Sequence, residues 1–405
     1  MREAWIIDGV RTPRGKGKPS GALHGVHPQE LLGGLLTALS ERGLDAADVD
    51  DVVMGNGEHA GDHANDIARS AALTAGWPVT VPGLTINRFC GGAQQAVMTA
   101  ATGVLSGWQD LVVAGGVESM SRHSYGQPLD ANNPRLRERY PLVPQGISAD
   151  LIATLEGFDR ETVDAFAVRS QELAAQAIKE DRFARSIVPV RDADGTVLLE
   201  TDEHARPGTT VESLSGLPAS FARSGSKPRD DRGRSFDDMC RETYPEAAEI
   251  AHVHHAGNSS GVVDGAAAIV VASDEYARAH GLTPRARLVS AAVRGAEPVI
   301  MLTAPGPAAE LCLRKAGMTV ADIDLWEINE AFAAVPLKVI KDLAIDPDRV
   351  NVNGGAIALG HPIGATGAML FQTVIDELER RDLSTGLVTM CTGGGMATAT
   401  IVERI

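Results

Sequence analysis

The chain repeats itself, and that limits its fold more than any single motif. Residues 43–56, GLDAADVDDVVMGN, superpose without gaps on residues 317–330, GMTVADIDLWEINE, at an offset of 274. Gly43, Ala47, Asp48 and Asp50 recur as Gly317, Ala321, Asp322 and Asp324. A second match pairs DLVVAGG (110–116) with GLVTMCTGG (386–394), setting Leu111 on Leu387 at an offset of 276. Ahead of each match lies an apolar helical pattern with Pro near its first turn, PQELLGGLLTALSERGL (28–44) and PGPAAELCLRKAGM (305–318). Two independent matches at nearly one offset imply a duplicated α/β unit. The 405 residues are also more than one compact core usually holds.

Within each half, helices and strands alternate, so parallel pairing with right-handed crossovers is expected, with strands such as LVVAG buried on both faces. GAAAIVVAS (265–273), followed by the turn HGLTP, reads as the end of the first half. Between 121 and 255 the pattern changes to an amphipathic helix over 160–183 and then a Pro-, Gly- and charge-rich tract. That stretch reads as a mobile excursion that covers something. The expected division is 1–120 plus 256–275 as an N-terminal half, 121–255 as a loop domain and 276–405 as a C-terminal half.

A formal charge of -16 argues against nucleic acid or an anionic membrane as partner, since both need clustered positive charge. The apolar run near the start, WII, is too short for a signal peptide, and no run is long enough to span a bilayer, so a cytoplasmic protein is expected. Cys90, Cys240, Cys312 and Cys391 lie far apart, which offers neither a disulfide framework nor a zinc site.

Cys90, in INRFCGGAQQAVMTAATGVLSG, sits where a helical stripe begins. A helix N-terminus stabilises a thiolate and lowers its pKa; on position alone, a buried inert thiol is an equal reading. His361 lies in NVNGGAIALGHPIGATGAM, crowded by glycines and restricted by Pro362, and could act as general base or oxyanion donor, or simply as a structural hydrogen-bonder. The segment matches neither a phosphate-binding loop nor a dinucleotide fingerprint. Cys391 ends a strand before Gly393, Gly394 and Gly395, whose N–H groups could approach a bound oxygen; a core cysteine is the alternative. In WEINEAFA, Asn329 and Glu330 land at a strand's C-terminal edge, where sites form in parallel α/β sheets. HVHH (252–255) would put His252 and His254 on one strand face, but with no carboxylate or cysteine evident nearby it reads as a structural turn, not a metal site.

Taken together, RTPRGK, NRFCGGAQQA, AGGVESMSR, AGNSSGVVDGAAA, NEAFA, NVNGGAIALGHPIGATGA and CTGGGMATA resemble the thiolase family of acetyl-CoA acyltransferases over essentially the whole chain. VPQGISADLIATLEGFDRETVDAFAVRSQELAAQA looks most like the degradative bacterial members of fatty-acid β-oxidation. The resemblance implies an α/β fold of two βαβαβαββ-type halves packed as an α/β/α/β/α core, with a loop domain inserted in the first. It implies that Cys90 is the nucleophile, His361 its base, and Cys391 the acid that protonates the departing acetyl-CoA enolate. Asn329 would fix a water that, with His361, holds the enolate oxygen. The N–H groups of Cys90 and Gly393 would hold the acyl-enzyme carbonyl. Ser260, Ala331 and Phe332 would line the pantetheine path. Coenzyme A is then a co-substrate, with no permanently bound cofactor or metal, and a homodimer or homotetramer is implied; association with a multifunctional β-oxidation subunit is compatible with it.

Two departures stand out. Short-chain members carry a His-Met pair where this chain has Pro144 and Gln145, and the residues after the nucleophile are Gly91 and Gly92, expected to loosen the turn. The alternatives are an acetoacetyl-CoA-specific enzyme working in the condensing direction, a decarboxylating ketoacyl synthase, and a non-catalytic acyl-CoA-binding relative. The second is disfavoured by Cys391, the third by the presence of both Cys90 and His361.

Overall fold

The computed structural model describes residues 2–123 and 129–405; residues 124–128 of the expected loop domain lie outside that range. The helices Gly92–Ser106 and Thr366–Arg381 begin 274 residues apart, the spacing of the repeat, and lie against each other at the centre of the molecule. The strands, in chain order, are β1 (Ala4–Arg11), β2 (Gly15–Lys16), β3 (Asp51–Gly55), β4 (Gly83–Ile86), β5 (Leu111–Ser119), β6 (Val190–Arg191), β7 (Val197–Leu199), β8 (Val263–Ser273), β9 (Ala286–Gly295), β10 (Leu325–Ile328), β11 (Thr385–Thr392) and β12 (Met396–Arg404).

The sheet runs β10-β11-β12-β9-β1-β8-β5-β3-β4. Its halves meet through Trp5–Arg287 and Ile6–Ala286, so it is a four-stranded and a six-stranded sheet joined at a narrow seam once β2, paired with β8, is counted. Alternate side chains of one strand enter different cores: Val112 and Ala114 face the central helices, while Leu111 and Val113 face the helices Pro28–Glu41 and Ile67–Thr74. In the second half, Val388 faces the centre, and Leu387 packs with Ala308, Ala309 and Val339 under the helices Pro305–Ala316 and Ala334–Leu343. Strands buried on both faces are thus sandwiched in five layers, helix, sheet, helix, sheet, helix.

Pairing is mixed, which corrects the expectation of parallel strands. β3 pairs parallel with β4 and β5, and β10 with β11, because a helix crosses over between them. β11 and β12 are antiparallel because only Gly393–Gly395 separate them, and β8, returning from the long excursion, runs antiparallel to β5 and β1. The strand of the second half equivalent to β4 shrinks to a single bridge, Trp326–Val350.

The excursion carries the helices Gln145–Glu156 and Arg160–Lys179, and its later tract forms the short helices Val211–Ser215, Ala222–Gly225 and Phe236–Thr243. Its apolar side chains Val143, Ile147 and Leu151 share one core with Met301, Ala331, Phe332 and Cys391. A buried bidentate pair, Arg11 to Asp202 at 2.8 Å twice, ties it back to β1. Among the described residues no helix is long and apolar enough to cross a membrane.

Candidate active site

The sequence-derived residues converge at the ends of the two central helices. Cys90 lies in the 3-10 turn Phe89–Gly91 that leads into Gly92–Ser106, with Phe89 held in the left-handed region at φ 47° and its N–H bonded to Asn87. A bulky residue there stores backbone strain beside the thiol. The glycines that follow are closely packed: a Cβ at Gly91 would lie 2.7 Å from Thr392 Cγ2, and one at Gly92 3.2 Å from Gly55 Cα.

His361 lies between the short helix Ala356–Leu359 and the start of Thr366–Arg381. Its N–H donates to Gly261 at 2.9 Å. Thr366 Oγ1 lies 2.6 Å from His361 Nδ1 and donates its own proton to Pro362 O at 2.9 Å. A hydroxyl has one proton, so here it accepts from Nδ1–H, which leaves Nε2 as the basic nitrogen. Nε2 lies 3.5 Å from Asn329 Nδ2. Asn329 Oδ1 is buried with no partner among the described residues.

Glu330 secures this geometry. Its carboxyl accepts from Ser170 Oγ at 2.7 Å, Asn351 Nδ2 at 2.9 Å and Ile357 N at 3.1 Å, which pins the segment leading to His361 onto the end of β10. Glu118 Oε2 accepts from Gly57 N and Gly364 N at 2.8 and 2.9 Å, fixing the far side of the same loop. Ser260 N donates to Ala331 O at 2.9 Å, and Ser259 bridges Phe332, so these residues form a wall one step from Gly261 and His361.

The thiol does not behave as a helix N-terminus alone would dictate. Burial pushes Cys90 up to about 11, and the Glu118 carboxylate adds to the rise, while the N–H groups of Cys90 and Gly393 and the Gln145 amide pull the other way. Desolvation outweighs the helix here. Cys391 is raised further, by burial and then by Cys90 beside it. His361 is lowered to about 3 by burial and by the Arg14 guanidinium. Burial thus favours neutral thiols and a neutral imidazole in the resting site. Alkylation of Cys90 by iodoacetamide should rise about tenfold per pH unit between pH 7 and 10, with no inflection near 6.5. A plateau from pH 5 to 8 would mean a preformed thiolate–imidazolium pair.

Two histidine groups deserve comparison. HVHH is not short of carboxylates: Asp150 meets His252 Nδ1 and His254 Nδ1 at 2.7 Å each, Asp237 meets His252 Nε2 at 3.2 Å, and Asp164 meets His255 Nε2 at 2.7 Å. These partners come from three helices of the excursion, beyond the reach of local sequence, and they use the imidazoles as structural clamps. His63, Glu118 and His123 also converge, with ligating atoms within 4.8 Å. However, His63 Nε2 accepts from Ser119 N at 2.9 Å, which puts the proton on Nδ1, against His123 Nε2. A neutral His63 then has no lone pair left for a cation.

Local sequence missed Thr366 and Glu330 as a hub. A threonine at the first position of the helix after His361 was the available signal for Thr366.

Residues 4–227 match the thiolase N-terminal domain and residues 282–404 the thiolase C-terminal domain. The chain is 40% identical to a beta-ketoadipyl-CoA thiolase of Escherichia coli and to a 3-ketoacyl-CoA thiolase of Cronobacter sakazakii, covering 100% of both chains in each case. It is similar to the crystal structure of the Bacillus anthracis acetyl-CoA acetyltransferase, with a TM-score of 0.84 at 37% identity over 100% of this chain and 99% of that one. The chain belongs to the thiolase family, enzymes that transfer acyl groups between CoA thioesters and carry no permanent cofactor.

Proposed function

We propose that this thiolase cleaves 3-ketoacyl-CoA in fatty-acid β-oxidation, with Cys90 as nucleophile. The observation that carries the assignment is the packing of the turn that holds Cys90 against the end of the strand that holds Cys391, where a Cβ at Gly91 would lie 2.7 Å from Thr392 Cγ2 and one at Gly393 3.2 Å from Phe89 Cγ. His361, with Nε2 freed by Thr366, takes the Cys90 proton as sulfur attacks the 3-keto carbon. The C2–C3 bond breaks, and the acetyl-CoA enolate is held by Nε2–H and by a water on Asn329, then protonated by Cys391. The Cys391 thiolate next takes the proton of an incoming CoA thiol, which collects the acyl group. Cys90 leaves as thiolate and recovers its proton from His361. The N–H groups of Cys90 and Gly393 hold the carbonyl oxygen through the acyl-enzyme stage. Ser260, Ala331 and Phe332 line the path of the pantetheine arm.

The division into 1–120 plus 256–275, 121–255 and 276–405, a homodimer or homotetramer, and cytoplasmic residence belong to the same reading. The degradative role rests on the sequence of the helices Gln145–Glu156 and Arg160–Lys179 and on the 3-ketoacyl-CoA thiolase relative. Its test is kcat/KM for thiolysis across acetoacetyl-CoA, longer 3-ketoacyl-CoAs and 3-oxoadipyl-CoA. Longer unbranched chains should give the highest values. A maximum at acetoacetyl-CoA would favour the short-chain reading, and one at 3-oxoadipyl-CoA a dicarboxylate substrate.

A further inference from the structure

We infer that His252 is a proton-dependent latch: as an imidazolium held between Asp150 and Asp237, it fastens the helix Phe236–Thr243 to the helix Gln145–Glu156, and it lets go on losing its proton. Its Nδ1 lies 2.7 Å from Asp150 Oδ2 and its Nε2 3.2 Å from Asp237 Oδ2. An ionised carboxylate only accepts, so a carboxylate at each ring nitrogen requires a proton on both. Both acids fit that state. Asp150 Oδ1 accepts from Val253 N at 3.1 Å, His254 N at 3.0 Å and His254 Nδ1 at 2.7 Å, donors that favour the anion. Asp237 Oδ1 is buried with no hydrogen-bond partner among the described residues, so a proton there would have nothing to donate to. The other two imidazoles each accept one N–H, His254 Nε2 from Ala334 N at 3.4 Å and His255 Nδ1 from Gly257 N at 3.0 Å, and so hold a single proton, given to Asp150 and Asp164. HVHH therefore carries one charge, on His252.

The bond to Asp150 raises His252 above the ordinary histidine value in spite of burial, and Asp237 adds to the rise. Such a group stabilises in full below about pH 6.5, its unfolded value, and the stabilisation is lost as pH climbs through the raised one. No other charge faces the ring from the elements packed on it. Asp238 is turned to Ser235 and Arg241, and Cys240 is a thiol pushed up to about 12 by burial. The short helix Ala222–Gly225 keeps Arg223 exposed and meets the imidazole with its glycine, where a Cβ would stand 2.7 Å from His252 Cε1 and 2.4 Å from Asp237 Oδ1. Phe221, which caps that helix, fills the space left by Gly146 and stands edge-on to Phe332, with centroids 5.9 Å apart. Loss of the charge loosens the tract over Phe332, and an effect on CoA rests on the proposed reading of Phe332 as a wall of the pantetheine path.

The test is the rate at which iodoacetamide labels Cys240, mapped by peptide mass, in the parent protein and in His252→Gln at about pH 6.5 and about pH 9.5. Cys240 is 0% exposed and lies one turn after Asp237 on the same helix, so it reacts only when that helix lifts. Glutamine keeps one donor and no charge, and the ratio of variant to parent at each pH cancels the ionisation of the thiol itself. That ratio should be about tenfold at the lower pH, from the loss of a charge-assisted bond, and should fall towards unity at the higher one as the parent lets go. A ratio of unity at the lower pH, or one that does not change with pH, overturns the latch. Should His252→Gln fail to fold, Asp237→Asn is read in the same way. KM for CoA at the lower pH should be severalfold higher in the variant. Equal values alongside a pH-dependent labelling ratio would leave the latch standing and overturn the reading of Phe332 instead.

Discussion

Cys90→Ala is expected to lower kcat/KM for thiolysis by roughly 10⁴-fold or more and to abolish the +acetyl species that acetyl-CoA should form on the parent protein. The magnitude follows from what remains. His361 keeps its tautomer, because Thr366 and Pro362 are untouched, and the N–H groups of Cys90 and Gly393 still face the same space. Substrate can bind, but no atom forms the covalent bond that splits carbon–carbon cleavage into two steps. The fold should tolerate the change, since the thiol is a small buried group and loses only a weak hydrogen-bond partner. Intact mass and steady-state kinetics measure both effects. An acetyl adduct of undiminished yield in the variant would assign the chemistry to another cysteine, with Cys391 the first candidate.

Gly367→Ala is expected to destabilise the protein by about 2–3 kcal/mol and to cost more than tenfold in kcat. A Cβ at Gly367 would fall 2.3 Å from Gln94 N and 2.9 Å from Gln94 Cα, backbone atoms that cannot rotate away. Gln94 cannot yield easily. Its amide donates to Val388 O at 2.9 Å and Thr400 Oγ1 at 3.0 Å and accepts from Thr398 at 2.6 Å, all of them buried. The two central helices must therefore separate. One carries Cys90 at its start and the other follows His361, so a shift of a few tenths of an ångström separates nucleophile from base. Chemical denaturation together with kcat checks this, and an unchanged midpoint would show that the helix contact is softer than its geometry.

These two substitutions show how much the sequence already held. The repeat placed equivalent helices at Gly92 and Thr366 and equivalent strands at Leu111 and Thr385, because a duplicated chain keeps its periodicities and turn residues. Cys90, His361, Asn329 and Cys391 were all legible as residues at the ends of elements. Strand direction was not. Whether β8 and β12 run with or against their neighbours depends on how the chain returns, after a long excursion in one case and a three-glycine turn in the other.

The ionisation of the site was also beyond the sequence. A cysteine at a helix start points to a lowered pKa, and only the surrounding layers, which leave Cys90 4% exposed, reverse that sign. The carboxylates on HVHH illustrate the same limit, since Asp150, Asp164 and Asp237 are distant in the chain and adjacent only after folding. Local pattern singled out the candidate groups and the element ends that present them. Tertiary structure alone decided their protonation and their tautomer, because desolvation and hydrogen bonding depend on every neighbour in space, and sequence reports only neighbours in the chain.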